Sequence, residues 1–458
     1  MRESLSLRIS IEWARVIQGL SFRAVMLALS QAAVLWTIIV LDWQQNWSID
    51  LPGFDTVGAP FTHMLPTVRH VEVAALASVS AYALAGWPNR DRLRHGLRRS
   101  FTLALLGLLL LSALSIVWAA HRGLAAVQVA HMAIWVSFTL MIICGDWSPP
   151  RLAAFFLGGL IIHCAVGYLQ MALQHFVGLG PRFGELPVRP YDPWVSVVFA
   201  GPIHILRVYG LSGHPNVLGG HLAVGLLWTY GLTIVWPRVW RALIMIAWIM
   251  AWGLLLLTFS RSAWIATLTG GLVAGLWLTR GRWLNRRTLV PILQLAALGL
   301  VFIVVFVLTF RPFLIGRFQA STEPYETLSI TEREAMIRVS TQLIAAYPLL
   351  GVGAANFSVA SHALGEELSW AHNVPLLIGS ELGLPGLALF LVMVGTLARL
   401  GWQRWRSRSI SLWQALTGGG LVAVLTVMLF DHYPWTAPQG TLLWALLTGL
   451  WLAGDERG

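Results

Sequence analysis

The sequence predicts an all-α polytopic membrane protein of about twelve transmembrane helices. Both termini are expected to be cytoplasmic, with a partly helical extracytoplasmic loop between spans 9 and 10. Three observations carry this prediction. Hydrophobic residues make up 57% of the 458 and charged residues only 11%, against roughly 25% charged in a soluble domain. So little charge cannot cover a water-exposed surface, and so apolar a chain is not disordered. Apolar runs of about 20 residues, the length that crosses a bilayer, recur along the chain. Finally, all 31 basic residues are arginines, and they gather in alternate connections between the apolar runs. Two cysteines exclude a disulfide scaffold.

The expected spans are 22–41, 68–87, 100–119, 124–144, 151–176, 216–236, 242–258, 263–279, 289–310, 374–398, 411–430 and 440–454. The run 242–279 is read as two spans, because it is almost two bilayers long and a charge at Arg261 is costly at mid-membrane. Arginine placement supports the split. Arg2, Arg8, Arg15 and Arg23 precede span 1, and Arg90 to Arg99 follow span 2. Arg151 follows span 4, and Arg238 and Arg241 follow span 6. Arg280 to Arg287 follow span 8, Arg399 to Arg408 follow span 10, and Arg457 follows span 12. Short cytoplasmic loops collect arginine, so every even-numbered connection is assigned to the cytoplasm. The formal charge of +11 is therefore a topology signal addressed to membrane lipids, and no nucleic-acid partner is expected. Span 1 has no convincing cleavage site after it and is read as retained. Cys144 and Cys164 fall in spans, as small packing residues.

This layout divides the chain into residues 1–176 with spans 1–5, 177–310 with spans 6–9 and outer-face arginines, the loop 311–373, and 374–458 with spans 10–12. Four segments then lie outside: 177–215, 259–262, 311–373 and 431–439. In the long loop, Thr331-Glu332-Arg333-Glu334 reads as a capping box. Met336, Val339, Leu343 and Tyr347 recur at helical spacing behind it, predicting a surface helix of about 15 residues that ends near Pro348. Gly351 to Phe357 reads as a turn, and Pro375 fits the first turn of span 10.

Together these segments resemble the O-antigen ligase and O-antigen polymerase superfamily of bacterial envelope glycosyltransferases. Arg207 stands upstream of Gly210-Leu211-Ser212-Gly213-His214-Pro215-Asn216-Val217-Leu218-Gly219. Thr258-Phe259-Ser260-Arg261-Ser262-Ala263-Trp264 follows, then Arg333 ahead of Pro348-Leu349-Leu350-Gly351-Val352-Gly353, and then Asn356-Phe357. His372-Asn373 and Glu381-Leu382-Gly383 complete the order. The likeness covers about 200–400; Ile337 departs from it, where such sequences often carry an aromatic. The resemblance implies an enzyme of the bacterial cytoplasmic (inner) membrane with its active site on the extracytoplasmic face. Its donor would be a glycan on undecaprenyl pyrophosphate, and its acceptor a sugar hydroxyl on a lipid A core or another polysaccharide. It implies no metal, nucleotide or other cofactor, arginines that hold the pyrophosphate, and a histidine that activates the acceptor.

The residue types suit that chemistry. A departing pyrophosphate gains negative charge, and arginine offers up to five planar donors while staying charged; Arg207 and Arg261 are the candidates. His372 can accept a hydroxyl proton at neutral pH, and a single displacement inverts the anomeric configuration. Glu381 is an intramembrane carboxylate and so a candidate site residue. Arg333 is expected to pair with Glu381 or another acid, or to meet the donor. His214 and Asn216 are expected to shape the acceptor or donor pocket, and Asn373 is expected to bind substrate beside the base. Arg338 is expected to pair with Glu334 at i,i+4. Asp431 and His432 face the same side, but no ligand-spaced pair supports a metal site from them with His372, and none is expected. Polymerase and ligase share these motifs, and transfer to protein is a third acceptor class. A lipid-linked glycan transporter would keep its charges near the membrane midplane. Here the candidate charges gather at external span ends, Glu381 excepted.

Overall fold

The computed structural model describes residues 21–48, 67–193, 195–281, 283, 285–318 and 324–454. Arg2, Arg8, Arg15, Arg282 and Arg457 of the expected charge pattern lie outside these residues. Of the described residues 74% are helical, as in an apolar sequence whose backbone polar groups have no water to bond.

A helix stands on each expected span. These are α1 (Phe22–Ile39), α2 (His70–Leu84), α3 (Gly96–Ser115), α4 (Arg122–Cys144), α5 (Pro149–Leu173), α6 (Pro215–Val235), α7 (Arg238–Leu257), α8 (Arg261–Arg280) and α9 (Arg286–Thr309). The chain continues through α10 (Arg311–Phe318), α11 (Pro324–Ala346), α12 (Phe357–Ala363), α13 (Val374–Ser407), α14 (Leu412–Met428), α15 (Tyr433–Thr436) and α16 (Pro438–Ala453). Among the described residues, nine helices are long and apolar enough to cross a membrane. The helices α2, α14 and α16, of 15, 17 and 16 residues, are shorter. The protein is thus an all-α, multi-pass membrane protein. Two short antiparallel ribbons, which the sequence reading lacked, interrupt the helices: β1 (Asn46–Ser48) with β2 (Thr67–Arg69), and β3 (Val197–Ala200) with β4 (Ile203–Leu206).

The helices differ in how much of their surface they bury. The helices α6 and α16 are buried almost all round, with Trp228, Trp444 and Trp451 among the largest enclosed side chains. By contrast α9 exposes Leu293, Leu300, Val305 and Leu308, the apolar surface expected against lipid. Both cysteines are buried and unbonded to each other. Helix direction also sorts the charges. The starts of α6, α8 and α13 and the end of α14 lie at one end of the bundle. The opposite ends carry Arg238, Arg280 and Arg404, where Arg280 Nε donates to the carbonyl of Trp405 at 3.2 Å.

Two sequence expectations change. The loop helix α11 begins at Pro324, so Thr331 lies within helical turns and does not cap the helix. A proline is well tolerated in the first turn, where no intrahelical amide bond is lost, and it starts the helix early. Of its apolar residues, Met336, Val339 and Leu343 are buried while Tyr347 is half exposed, and Arg338 pairs with Glu366 rather than Glu334.

Span 10 is also longer than expected and broken. Gly383 takes a left-handed φ of 67° inside α13, and Pro385 supplies no amide for the carbonyl of Glu381. The loop after α11 repairs the ladder. Gly353 N–H donates to Glu381 O at 2.9 Å and Val352 N–H to Ser380 O at 3.0 Å, while Leu384 N–H turns to Pro348 O at 2.7 Å. The approach is so close that any side chain at Gly351 would collide with the Glu381 carbonyl. This repair fixes the loop 348–357 against the helix that carries the site.

Candidate active site

The β3–β4 ribbon and the α7–α8 link set Arg207. Its backbone amide donates to Ser196 O at 3.2 Å, and Val208 N–H reaches Leu257 O at 3.4 Å. The link turns sharply because Phe259 adopts a φ of 49°. Ser260 then caps α8, accepting from Ala263 N–H. The Arg207 side chain is 5% exposed. Its Nε donates to Thr258 O at 2.7 Å and a terminal nitrogen donates to Asn216 Oδ1 at 2.6 Å.

His214 caps α6, its Nδ1 accepting from the Asn216 amide at 3.1 Å. The ring proton of the neutral imidazole therefore sits on Nε2, which donates to Ser196 Oγ at 2.8 Å. Burial, aided by the nearby charge of Arg207, lowers the pKa of this imidazole to about 3 against the pull of Asp431. His214 is thus a neutral strut that orients Asn216. The Asn216 side chain passes the contact on, its Nδ2 donating to Asp431 Oδ2 at 2.8 Å.

Asp431 is buried between α14 and α15. Burial alone would raise its pKa, but His372, His432 and His214 and the Asn216 hydrogen bond outweigh it and hold the carboxyl at about 2. Its Oδ1 accepts from the His432 amide at 2.9 Å and stands 3.7 Å from His372 Nδ1 and 4.0 Å from His432 Nε2. The His432 ring stacks on Trp370 and meets His372 edge-on, with centroids 4.9 Å apart. His372 is 31% exposed and lines a cavity of about 220 Å³ with Arg333, Met336, Ile337, Asn373 and Phe430. Asn373 caps α13 through Leu376 N–H and donates to Leu429 O at 3.1 Å, fixing the His372 loop to the end of α14.

The chain Arg207–Asn216–Asp431–His372 thus joins four residues that sequence spacing leaves far apart. Arg261 reaches it at one remove. This half-buried residue donates to Arg317 O at 3.1 Å, and the Arg317 charge acts on His214. Arg317 was not anticipated; its one signal was a second arginine in an otherwise apolar Arg311–Phe318. Arg333 faces the cavity and, among the described residues, forms no ion pair with Glu381 or another acid. Glu381 turns away from the cavity, its Oε1 accepting from Phe357 N–H at 3.4 Å.

The site thus places a carboxylate-backed histidine and several arginines at one end of a multi-pass helical bundle. Comparison with known proteins adds a likeness. The family model described as O-antigen ligase matches residues 245–391, about a third of the chain, and over this stretch the chain is similar to that family. The match includes Arg261, Arg333, His372, Asn373 and Glu381; Arg207, His214, Asn216, Asp431 and His432 lie outside it. No curated protein matches the chain.

Proposed function

We propose that the protein transfers a glycan from undecaprenyl pyrophosphate to an acceptor sugar hydroxyl, with His372 as general base. The acceptor is a lipid A core or another polysaccharide chain, and the ligase reading is the one tested first. The observation that carries the proposal is the 3.7 Å approach of the Asp431 carboxylate to His372 Nδ1. It leaves the other ring nitrogen for the cavity side.

In the reaction, the acceptor oxygen bonds to the anomeric carbon as the carbon–oxygen bond to pyrophosphate breaks. The bonding pair leaves on the pyrophosphate. The hydroxyl proton passes to His372 Nε2, and Asp431 stabilises the imidazolium that forms. Arg261 and Arg333 contact the pyrophosphate and the charge that develops there. Arg207 is a buried positioning residue that holds Asn216, and through it Asp431. One displacement gives an inverted product. The bundle is placed with both termini and the arginine-rich end in the cytoplasm, and the site on the extracytoplasmic face of the inner membrane.

The test is reconstitution in liposomes with an undecaprenyl-pyrophosphate-linked glycan, offering lipid A core and a second glycan as acceptors. His372→Ala is expected to lose transfer; wild-type turnover in that variant removes the base. A product with retained anomeric configuration rules out the single displacement.

A further inference from the structure

We propose that His372 Nδ1, Asp431 Oδ1 and His432 Nε2 form a three-ligand site for a borderline divalent transition ion of the Zn²⁺ class. Two imidazoles and a carboxylate are a donor set that such ions favour. One donor atom from each residue lies within 4.8 Å of the other two. Around zinc, bonds of about 2.0–2.1 Å put ligand atoms about 3.3 Å apart. The pairs therefore need to close by up to about 1.5 Å, within the reach of ring rotation.

The outer contacts of two of the three side chains already match those of a metal centre. The second oxygen of Asp431 is held by Asn216 Nδ2 at 2.8 Å. His432 Nδ1 meets Thr436 Oγ1 at 2.6 Å, and that hydroxyl spends its own proton on the His432 carbonyl at 3.3 Å. The hydroxyl oxygen therefore accepts, Nδ1 carries the ring proton, and the lone pair of the neutral ring sits on Nε2. That lone pair and the Asp431 carboxylate oxygen face each other at 4.0 Å. Two electron-rich atoms so placed repel unless a proton on Nε2 or a metal ion lies between them. His372 Nδ1 is buried with no hydrogen-bond partner and completes the triangle. Ligating residues held this way from their far sides are the usual arrangement around bound metal.

Loading has a consequence for catalysis. An imidazole bound to metal through Nδ1 keeps its remaining proton on Nε2 and has no lone pair for an acceptor hydroxyl. Zinc therefore switches transfer off. This consequence rests on the base role proposed for His372; the binding itself does not.

The experiment uses the full chain in detergent, stripped with chelator and titrated with Zn²⁺ against a chromophoric competitor, and separately with Co²⁺ read by its visible absorption. One equivalent is expected to bind. His432→Ala and His372→Ala should each weaken binding at least about ten-fold, and Thr436→Val, which keeps all three ligands, by about ten-fold. Equal isotherms for wild type and His432→Ala overturn the site. Transfer is then measured with and without zinc, each variant normalised to itself. Inhibition of wild type that is relieved in His432→Ala supports the switch, whereas activity that chelator abolishes and zinc restores overturns it. If His372→Ala transfers glycan normally, the base assignment fails while the isotherms still decide the metal site.

Discussion

Asp431 holds its carboxylate 3.7 Å from His372 Nδ1, and the two residues come from opposite ends of neighbouring helices, the end of α14 and the start of α13. Neither position is meaningful alone: a buried carboxylate needs a partner, and a half-exposed histidine needs an orienter. Asp431→Asn keeps the shape and removes the charge. It should lower transfer by about 10²-fold or more, with His372→Ala no worse when the two are combined. Additive losses in the double variant, measured by glycan transfer in liposomes, would show that the pair does not act as a unit.

Arg207 bonds Thr258 O and Asn216 Oδ1 at once, which the planar guanidinium can do and an ammonium cannot match. Arg207→Lys is expected to lower transfer at least about ten-fold, because the near-attack geometry loosens. Thermal unfolding should show a loss of about 1–3 kcal/mol from the unsatisfied buried amide of Asn216. Unchanged turnover in this variant would separate Arg207 from the site.

Acid should weaken the fold through His214. Its folded pKa of about 3 lies below the ordinary value of about 6.5, so between these values the unfolded chain binds the proton that the folded one refuses. Stability therefore falls as pH drops below about 6.5. Asp431, held at about 2, contributes stability above the ordinary carboxyl range that is lost only as pH falls toward 2. Melting temperature followed from pH 7 to pH 4 should decline, and His214→Asn, which keeps a capping side chain, should flatten that decline. An unchanged slope in the variant would assign the effect elsewhere.

Gly351 adopts a φ of 63° against the Glu381 carbonyl. Gly351→Ala should cost about 1–3 kcal/mol from backbone strain and lower the melting temperature, with a further loss from the collision. A variant as stable as wild type would mean that the loop 348–353 need not dock on α13.

Glu381 accepts from the backbone of α12 and does not face the cavity. Glu381→Gln keeps an acceptor oxygen and should transfer glycan within about three-fold of wild type, whereas Glu381→Leu should destabilise the fold by about 1–3 kcal/mol. A large loss of turnover in a stable Glu381→Gln would instead make its charge part of the chemistry.

The class of protein was legible from local properties. Length and apolar content place each helix, and the segregation of arginines sorts the connections, because both depend only on residues near one another in the chain. The order of motifs likewise singled out Arg207, Arg261 and His372 as candidates. What depended on distant approach was not legible. Thr331 reads as a cap until Pro324 starts the helix before it. Glu381 reads as a site carboxylate until the loop after α11 folds back to use it. Asp431 and His432 read as residues on the cleft side without a role until the end of α14 meets the start of α13. Sequence alone determined that this chain is a membrane protein with its candidate arginines at the ends of spans. The tertiary structure decided which groups meet, because a buried polar atom takes its partner from whichever backbone arrives within about 3 Å, and that arrival is set by packing rather than spacing.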